Sequence, residues 1–348
     1  MTHPIHPLRL LVAALLAGAS LAATAQDKVL NLYSARHYQT DEALYANFTK
    51  ATGIKINRID ADDAGVTTRL KAEGAASPAD VVLLVDAARL VKAESEGMFQ
   101  PVNSAVLQQR IPAHLRDGSD GGGPQWFGFS TRARIIVYNR SAVQRADVDT
   151  YQELGDPKNK GKVCTRSGSH PYNLTLFGAM LQHLGPQATE AWLKGVVDNM
   201  ARAPKGGDTD QIKAAASGEC AIGLTNSYYL ARLMRSTKPE DVEVVSKIGF
   251  VFPNQDSWGT HVNISGGAMA KQAKNPAEAV KFLEYLASDE AQAYFANGNN
   301  EWPAVATGKV ANPALEAMGS FKVDPLPIAL AGANQTQVQQ MLDRVGYK

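Results

Sequence analysis

Polar aromatic residues stand at four places in the chain where predicted strands end. The four segments are Arg36-His37-Tyr38, Pro171-Tyr172-Asn173, Tyr228-Tyr229 and Thr260-His261. Ligands of open α/β sheets bind at strand ends, so these side chains are candidates for one site. A tyrosine hydroxyl ordinarily has a pKa near 10. A metal cation can nevertheless displace its proton and bind the phenolate.

The chemistry of these side chains favours a hard cation. Phenolate oxygen is a hard anionic donor, whereas zinc and copper(I) are typically bound through softer thiolates. Iron bound by tyrosinate has a precedent among haem proteins. The chain holds 11 tyrosines, so the pair Tyr228-Tyr229 carries little weight alone. Tyrosines after several strands together favour iron(III).

A hydrolytic site is the competing chemistry. Ser34, Ser169 and Ser265 each have a histidine within a few residues. The GxSxG motif that marks a strained nucleophile turn is missing from the sequence. We therefore expect a binding protein and not an enzyme.

The N-terminus has the features of a secretory signal peptide. Arg9 precedes the apolar run 10–17, and residues 23–25 form an A-x-A cleavage pattern. The apolar run is too short for a membrane span of roughly 20 residues. The region contains no cysteine for lipid attachment. We expect cleavage after residue 25, Gln26 as the mature N-terminus, and a soluble periplasmic protein.

Composition excludes several classes of partner. Lys plus Arg is 35 and Asp plus Glu is 34, so the formal net charge is only +1. That balance gives no support to nucleic-acid binding.

Cys164 and Cys220 are the only cysteines. In an oxidising compartment an even pair favours a disulfide, with two buried free thiols as the alternative.

Short apolar strands alternate with helical stretches. Strands are predicted at 29–33, 54–59 and 79–85, and helices at 40–52, 66–74 and 87–96, the last capped by Asp86. A second series begins near Trp126, with strands at 127–139, 162–165, 220–225 and 248–252. The order indicates an α/β fold with mixed, mostly parallel sheets. The extended segments 127–139 and 248–268 are predicted to cross between two lobes, with ligand in the cleft between them.

Longer segments resemble a known family. The sequence is similar to the bacterial ferric iron-binding proteins of ABC transporters in YSARHYQTDEALYANFTKATGIKI (33–56), SPADVVLLVDAARL (77–90), STRARIIVYN (130–139), TNSYYLARL (225–233) and WGTHVNISGGAM (258–269). The resemblance covers essentially the whole mature chain. It implies a type II periplasmic binding fold with an N-terminal lobe of 26–126 plus 258–308. The C-terminal lobe is then 127–257 plus 309–348.

The resemblance also implies a ligand set. The family's tyrosine pair falls on Tyr228 and Tyr229, and a third tyrosine falls on Tyr172. The first-lobe ligands fall on His37 and Tyr38. Some members turn the equivalent histidine away and use carbonate or water instead.

Two positions depart from the family pattern. Other members place a glutamate ligand near Asp86, which here is short and better suited to capping a helix. The family's NEYP segment reads Asn300-Glu301-Trp302-Pro303, at a position that is usually structural. Neither Asp86 nor Trp302 is expected to bind metal.

Charge arithmetic predicts cations around the site. Iron(III) with four phenolates carries a formal charge of −1, which a nearby arginine would stabilise. Arg36, Arg132 and Arg232 lie beside the ligand motifs. Each could contact the site or hold an anion such as carbonate, with a surface salt bridge as the alternative.

The function implied is a carrier. It would capture iron(III) and deliver it, as a monomer, to an inner-membrane ABC permease and its ATPase. The alternative is a solute-binding protein for an organic cation or anion, such as a polyamine, thiamine or a phosphonate.

Overall fold

The computed structural model describes residues 28–36, 38–118 and 122–348. The predicted signal peptide and Gln26 lie outside these ranges. The strands are β1 (Val29–Ser34), β2 (Lys55–Asp60), β3 (Val81–Leu84), β4 (Phe99–Gln100), β5 (Trp126–Asn139), β6 (Val163–Cys164), β7 (Ile222–Asn226), β8 (Ile248–Val251), β9 (Val262–Ala270) and β10 (Trp302–Pro303).

Helices alternate with these strands and then fill the C-terminal part. They are α1 (Asp41–Thr52), α2 (Asp63–Glu73), α3 (Ala87–Ser95), α4 (Ala105–Arg110), α5 (Pro171–Leu184), α6 (Pro186–Asp198), α7 (Asp208–Ser217), α8 (Ser227–Met234), α9 (Pro239–Lys247), α10 (Pro276–Leu286), α11 (Asp289–Asn299), α12 (Pro313–Met318), α13 (Ile328–Ala333) and α14 (Gln335–Val345).

Two sheets share strand β5. In the first sheet β1 pairs in parallel with β2 and β3, and β3 pairs antiparallel with β9. The first part of β5, 126–133, also pairs with β9. The remainder of β5 pairs with β7 and β8 in the second sheet, where β6 and β7 run parallel. We call the first sheet with its helices the first lobe, and the second sheet with its helices the second lobe.

The sheets are mixed, as predicted, but they are not mostly parallel. Among the described residues the parallel pairings are β1 with β2, β1 with β3 and β6 with β7. The other pairings are antiparallel, because the crossing strands β5 and β9 run against each lobe's own strands. The predicted extended segment 248–268 is divided between β8 and β9, and both pair with β5, β8 in the second sheet and β9 in the first.

Local sequence explains several boundaries. Helix α1 ends at Gly53, whose φ of 71° lies in the left-handed region that glycine adopts without strain. The Asp86 side chain accepts a hydrogen bond from the Ala88 amide at 2.7 Å, so it caps α3 as predicted. Cys164 and Cys220 form a disulfide with their Cα atoms 6.0 Å apart.

Two clusters of buried apolar side chains form the interior. One includes Leu32, Val82 and Phe282, and the other includes Phe177 and Trp192 in the second lobe. Within the described ranges, none of the helices has the length and apolar character that crossing a membrane requires. Burial of these clusters fixes the sheets, and the sheets fix the loops at their strand ends.

Candidate metal centre

The tyrosine pair stands at the first turn of a helix in the second lobe. Strand β7 ends at Asn226 and α8 begins at Ser227, so Tyr228 and Tyr229 occupy the second and third helical positions. Tyr228 is fully buried and Tyr229 is half-buried. The two ring centroids are 4.2 Å apart. The pair therefore lies directly after the end of a strand, as the sequence predicted.

Tyr172 reaches the same place from a different helix. It is the second residue of α5, whose N-cap, His170, accepts a hydrogen bond from the Tyr172 amide at 3.2 Å. The hydroxyl oxygens of Tyr172 and Tyr228 lie 3.2 Å apart. The residues are 56 positions apart in sequence, yet their oxygens are within hydrogen-bond distance.

Tyr38 approaches from the first lobe. It follows β1 in the segment before α1, and its ring packs edge-on against Tyr228 with centroids 6.2 Å apart. Its hydroxyl donates a hydrogen bond to Glu301 Oε1 at 3.3 Å. His37, the least certain ligand of the family pattern, lies outside the described residues. The structure therefore brings together all four tyrosines that the sequence singled out.

Burial raises the pKa of three of the four site tyrosines. Desolvation raises the pKa of Tyr38 well above its ordinary value, and the Glu301 carboxylate raises it further. Desolvation likewise raises the pKa of Tyr228, with Tyr38 and Tyr172 adding to the shift. The pKa of Tyr172 is raised by desolvation and then by Tyr229. A cation that binds here must displace protons and must offset the mutual repulsion of phenolates.

Two of the three predicted arginines are buried beside the tyrosines. Arg36 places its guanidinium 5.0 Å from the Tyr38 ring centroid, and its Nε donates to Asp41 at 2.7 Å. Arg132 is fully buried, 5.6 Å from the Tyr172 ring centroid. Both are therefore interior charges, contrary to the surface salt bridge that was the alternative.

Arg232 differs from these two because it is exposed. Its guanidinium lies 5.9 Å from the Tyr228 ring centroid and 5.6 Å from the Tyr229 centroid. It sits one turn after the tyrosines on α8, so the helix itself sets this spacing. A guanidinium at this distance from a ring centroid is attracted to the electron-rich face of the ring.

Glu301 is the site residue that the sequence did not reveal. Its side chain is fully buried and accepts hydrogen bonds from Ser130 at 2.7 Å and from Tyr38. Arg36 and Arg132 lie 3.7 and 3.9 Å from its carboxylate. A buried carboxylate needs such compensation, because removing a charge from water is costly. The only sequence signal was a charged residue before an aromatic–proline pair, which is weak.

The remaining candidates fall outside the tyrosine group. Within the described ranges no hydrogen bond or ring contact joins Thr260 or His261 to the four tyrosines. Asp86 accepts hydrogen bonds from Ala88 and from Thr175 at 2.8 Å, so its oxygens have structural partners. Trp302 packs edge-on against Phe321, with centroids 5.1 Å apart.

The serines that raised the hydrolase alternative have other partners. Ser34 Oγ accepts from the Arg36 amide, and Ser169 contacts Ser167. Ser265 accepts from Arg132 and donates to Glu301. In the described part of the chain these contacts include no histidine that could act as a general base.

The donor set of the site is phenolic. Across the described ranges no group of three or more His, Cys, Asp or Glu side chains is placed to hold a metal ion. A cavity of about 540 Å³ opens beside Tyr38 and Tyr172, and Asp60, Asp62 and Asp63 also line it.

Comparison with known proteins gives a consistent result. Residues 43–317 match the family model described as bacterial extracellular solute-binding protein. Iron uptake protein A1 of Synechocystis sp. is 45% identical over 323 residues, covering 93% of this chain and 88% of that protein. The family match extends over both lobes and includes Tyr172, Tyr228 and Tyr229, whereas Tyr38 precedes it.

Two solved structures of iron-binding proteins have a fold similar to that of this chain. A Trichodesmium protein, IdiA or FutA, in complex with iron and citrate is 50% identical with a TM-score of 0.87, covering 92% of this chain and 100% of that one. A ferric binding protein from Campylobacter jejuni is 38% identical with a TM-score of 0.85, covering 92% and 100%. The predicted two-lobed α/β fold of type II binding proteins is thereby confirmed. The chain belongs to the family of bacterial extracellular solute-binding proteins.

Proposed function

We propose that this protein binds iron(III) in the cleft between its lobes. The ligands are the phenolates of Tyr38, Tyr172, Tyr228 and Tyr229, with His37 as a fifth candidate. The observation that carries the proposal is the 3.2 Å separation of the Tyr172 and Tyr228 hydroxyl oxygens, with the Tyr38 and Tyr229 rings packed against Tyr228. Hard phenolate donors suit a hard trivalent cation.

The arginines stabilise the ionised site. Four phenolates and one iron(III) carry a formal charge of −1, and Arg36, Arg132 and Arg232 all lie within 6 Å of a site tyrosine ring. An anion such as carbonate can complete the coordination in place of His37. The Trichodesmium protein, which is in complex with iron and citrate, supports an anion that accompanies the iron.

The protein delivers its iron from the periplasm to an ABC permease and its ATPase. Support comes from the match to extracellular solute-binding proteins and from relatives named for iron uptake and periplasmic iron(III) binding. It acts as a carrier and not as an enzyme. Both walls of the cleft come from one chain, which favours a monomer.

The lobes are 26–126 plus 258–308 and 127–257 plus 309–348, after cleavage of the signal peptide 1–25. Strand β5 supports a division into two lobes, because its residues 126–133 pair in the first sheet and its residues 134–139 pair in the second. Opening about this strand would separate Tyr38 from the three tyrosines of the second lobe, and closure would restore the contact between Tyr38 and Tyr228.

The direct test is a visible spectrum of the mature protein titrated with iron(III) nitrilotriacetate. Tyrosinate-to-iron charge transfer should colour the protein orange to purple, and the colour should survive gel filtration. The Tyr228→Phe/Tyr229→Phe double variant is the control and should remain colourless. A wild-type protein that stays colourless and elutes without iron contradicts the proposal, and thiamine, spermidine and a phosphonate should then be titrated calorimetrically.

A further inference from the structure

A buried carboxylate lies behind the second-lobe tyrosines. Asp208 is fully buried at the first position of α7. One carboxylate oxygen accepts from Arg134 Nη1 and from the Asn226 amide at 2.7 Å. The other accepts from Arg166 Nη1 at 3.1 Å. None of these contacts is with a tyrosine, so the cluster is separate from the proposed ligand set.

One branch of this cluster leads to Tyr172. Arg134 Nη2 donates to Asn173 Oδ1 at 2.7 Å, and Asn173 is the residue that follows Tyr172. The Asn173 amide donates in turn to the Arg166 and Ser167 carbonyls at 3.2 and 3.0 Å. The Arg166 guanidinium also stands 5.0 Å from the Tyr172 ring centroid. The first turn of α5 is thereby held on both sides of the tyrosine.

The other branch leads to Tyr228. Asn226 is the N-cap residue of α8, but its side chain makes no capping hydrogen bond to that helix. Its Oδ1 instead accepts from Arg134 at 3.1 Å, while its backbone amide donates to Asp208. The start of α8, two residues before Tyr228, is therefore attached to the same ion pair as the start of α5.

Together the two branches hold the turns that carry Tyr172 and Tyr228, and so they affect the distance between the two hydroxyl oxygens. Helices α5 and α8 follow different strands, β6 and β7, which pair in parallel for only two residues. That short pairing and the disulfide beside it set the strands but not the turns that carry the tyrosines. Asp208 and Arg134 connect those turns directly, and the Tyr172 and Tyr228 oxygens meet at 3.2 Å.

We infer that Asp208, acting through Arg134, is a positioning residue that sets the spacing of the Tyr172 and Tyr228 oxygens for iron. This inference rests on the proposed function. Partners beyond the ligands of a metal site typically change metal affinity by about 10- to 100-fold when they are removed. The cluster makes no hydrogen bond to a ligand oxygen, and it acts on geometry by holding Asn173 and Asn226, while the Asp208 charge separately raises the pKa of Tyr172.

The test compares Asp208→Asn with Asp210→Asn in the full mature protein. Asp210 is an exposed carboxylate in the same first turn of α7, where it accepts from the Gly207 amide at 2.7 Å. Both variants lose one carboxylate from the N-terminal turn of α7, so they are matched for charge and for helix position. A third variant, Asp208→Asn with Arg134→Met, removes both members of the fully buried ion pair, so that only the partly exposed Arg166 loses its carboxylate partner.

Iron affinity is measured by competition with citrate, and the charge-transfer band is recorded per bound iron. Asp210→Asn should match the wild type. Asp208→Asn and the Asp208/Arg134 double variant should bind at least about tenfold more weakly, with a shifted or weakened band, because the two phenolates no longer meet at one point.

The outcomes separate this inference from the proposed function. A coloured wild type with an unchanged Asp208→Asn or double variant overturns the positioning role alone. Failure of both Asp208 variants to fold, while Asp210→Asn folds, also overturns it, because the cluster then serves the fold. A wild type that takes up no iron overturns the proposed function and this inference with it.

Discussion

Replacing Tyr228 by phenylalanine should have a small effect on the free energy of unfolding and a large effect on iron affinity. The Tyr228 hydroxyl makes a 3.2 Å contact with Tyr172, and the ring is fully buried. Losing one neutral hydrogen bond costs about 1 kcal/mol of unfolding free energy, or roughly 2 °C in a protein of this size. Losing a ligand oxygen should cost far more: at least about 100-fold in iron affinity, the upper range for partners outside the ligand set.

Tyr347→Phe is the matched control in the same lobe. Tyr347 is 3% exposed, and its hydroxyl donates to the Thr165 hydroxyl at 2.8 Å. This control deletes the same atom from a similarly buried ring, so its unfolding temperature should fall by a similar amount. Its iron affinity should stay at the wild-type value.

Two measurements on both variants show whether Tyr228 binds iron or only stabilises the fold. Thermal unfolding without iron gives the stability, and citrate competition followed at the charge-transfer band gives the affinity. Equal iron affinities for the two variants would refute the assignment of Tyr228 as a ligand. A loss of more than about 3 kcal/mol in metal-free Tyr228→Phe would show that packing, and not ligation, explains any weaker binding.

Four further predictions follow from the same structure. Tyr229→Phe keeps the ring and deletes the donor, so citrate competition should show much weaker iron binding; unchanged affinity would remove Tyr229 from the ligand set. A phenol ordinarily keeps its proton at pH 7, and burial raises the pKa of Tyr38, Tyr172 and Tyr228 further, so iron binding as four phenolates should release four protons and strengthen about tenfold per proton and per pH unit; an indicator dye should count one proton fewer for Tyr228→Phe. Reducing the Cys164–Cys220 disulfide, whose cysteines are 56 positions apart, should lower the unfolding free energy in urea by about 4 kcal/mol, and an unchanged midpoint would contradict its structural role. Burial lowers the pKa of His261 to about 3, so the folded state binds fewer protons than the unfolded chain below pH 6.5; this histidine should remove about 1.4 kcal/mol of stability per pH unit between pH 6.5 and 3, and His261→Gln should flatten that slope in acid unfolding.

The local elements of the fold could be predicted from sequence patterns. Apolar runs and helix stops located β1, β3 and α1 to within a residue or two, because these signals lie within a few positions of one another. The pairing direction of the crossing strands could not be predicted in this way. It depends on which strands meet in space, and β5 meets β7, β8 and β9.

The ligand candidates were also within reach of the sequence, since tyrosines at several strand ends form a recognisable pattern. The buried carboxylates that support the site, Asp208 and Glu301, could not be recognised in the sequence. Asp208 is 18 positions from Asn226 and 74 positions from Arg134, and nothing local distinguishes it from the exposed Asp210 two residues later. A buried charge is identified by its partners, and the fold alone brings those partners together.

Glu301 shows the same limit at the centre of the site, 263 positions from Tyr38. A neutral Tyr38 donates a hydrogen bond to this carboxylate, but a phenolate has no proton to donate. If iron takes the place of that proton, as proposed, the contact changes from attraction to repulsion, and Arg36 and Arg132 are the charges that offset it. The same two arginines balance Glu301 before iron arrives. The buried charges of the site are thus compensated in the metal-free protein, so the chain can fold around a site that is still to be filled.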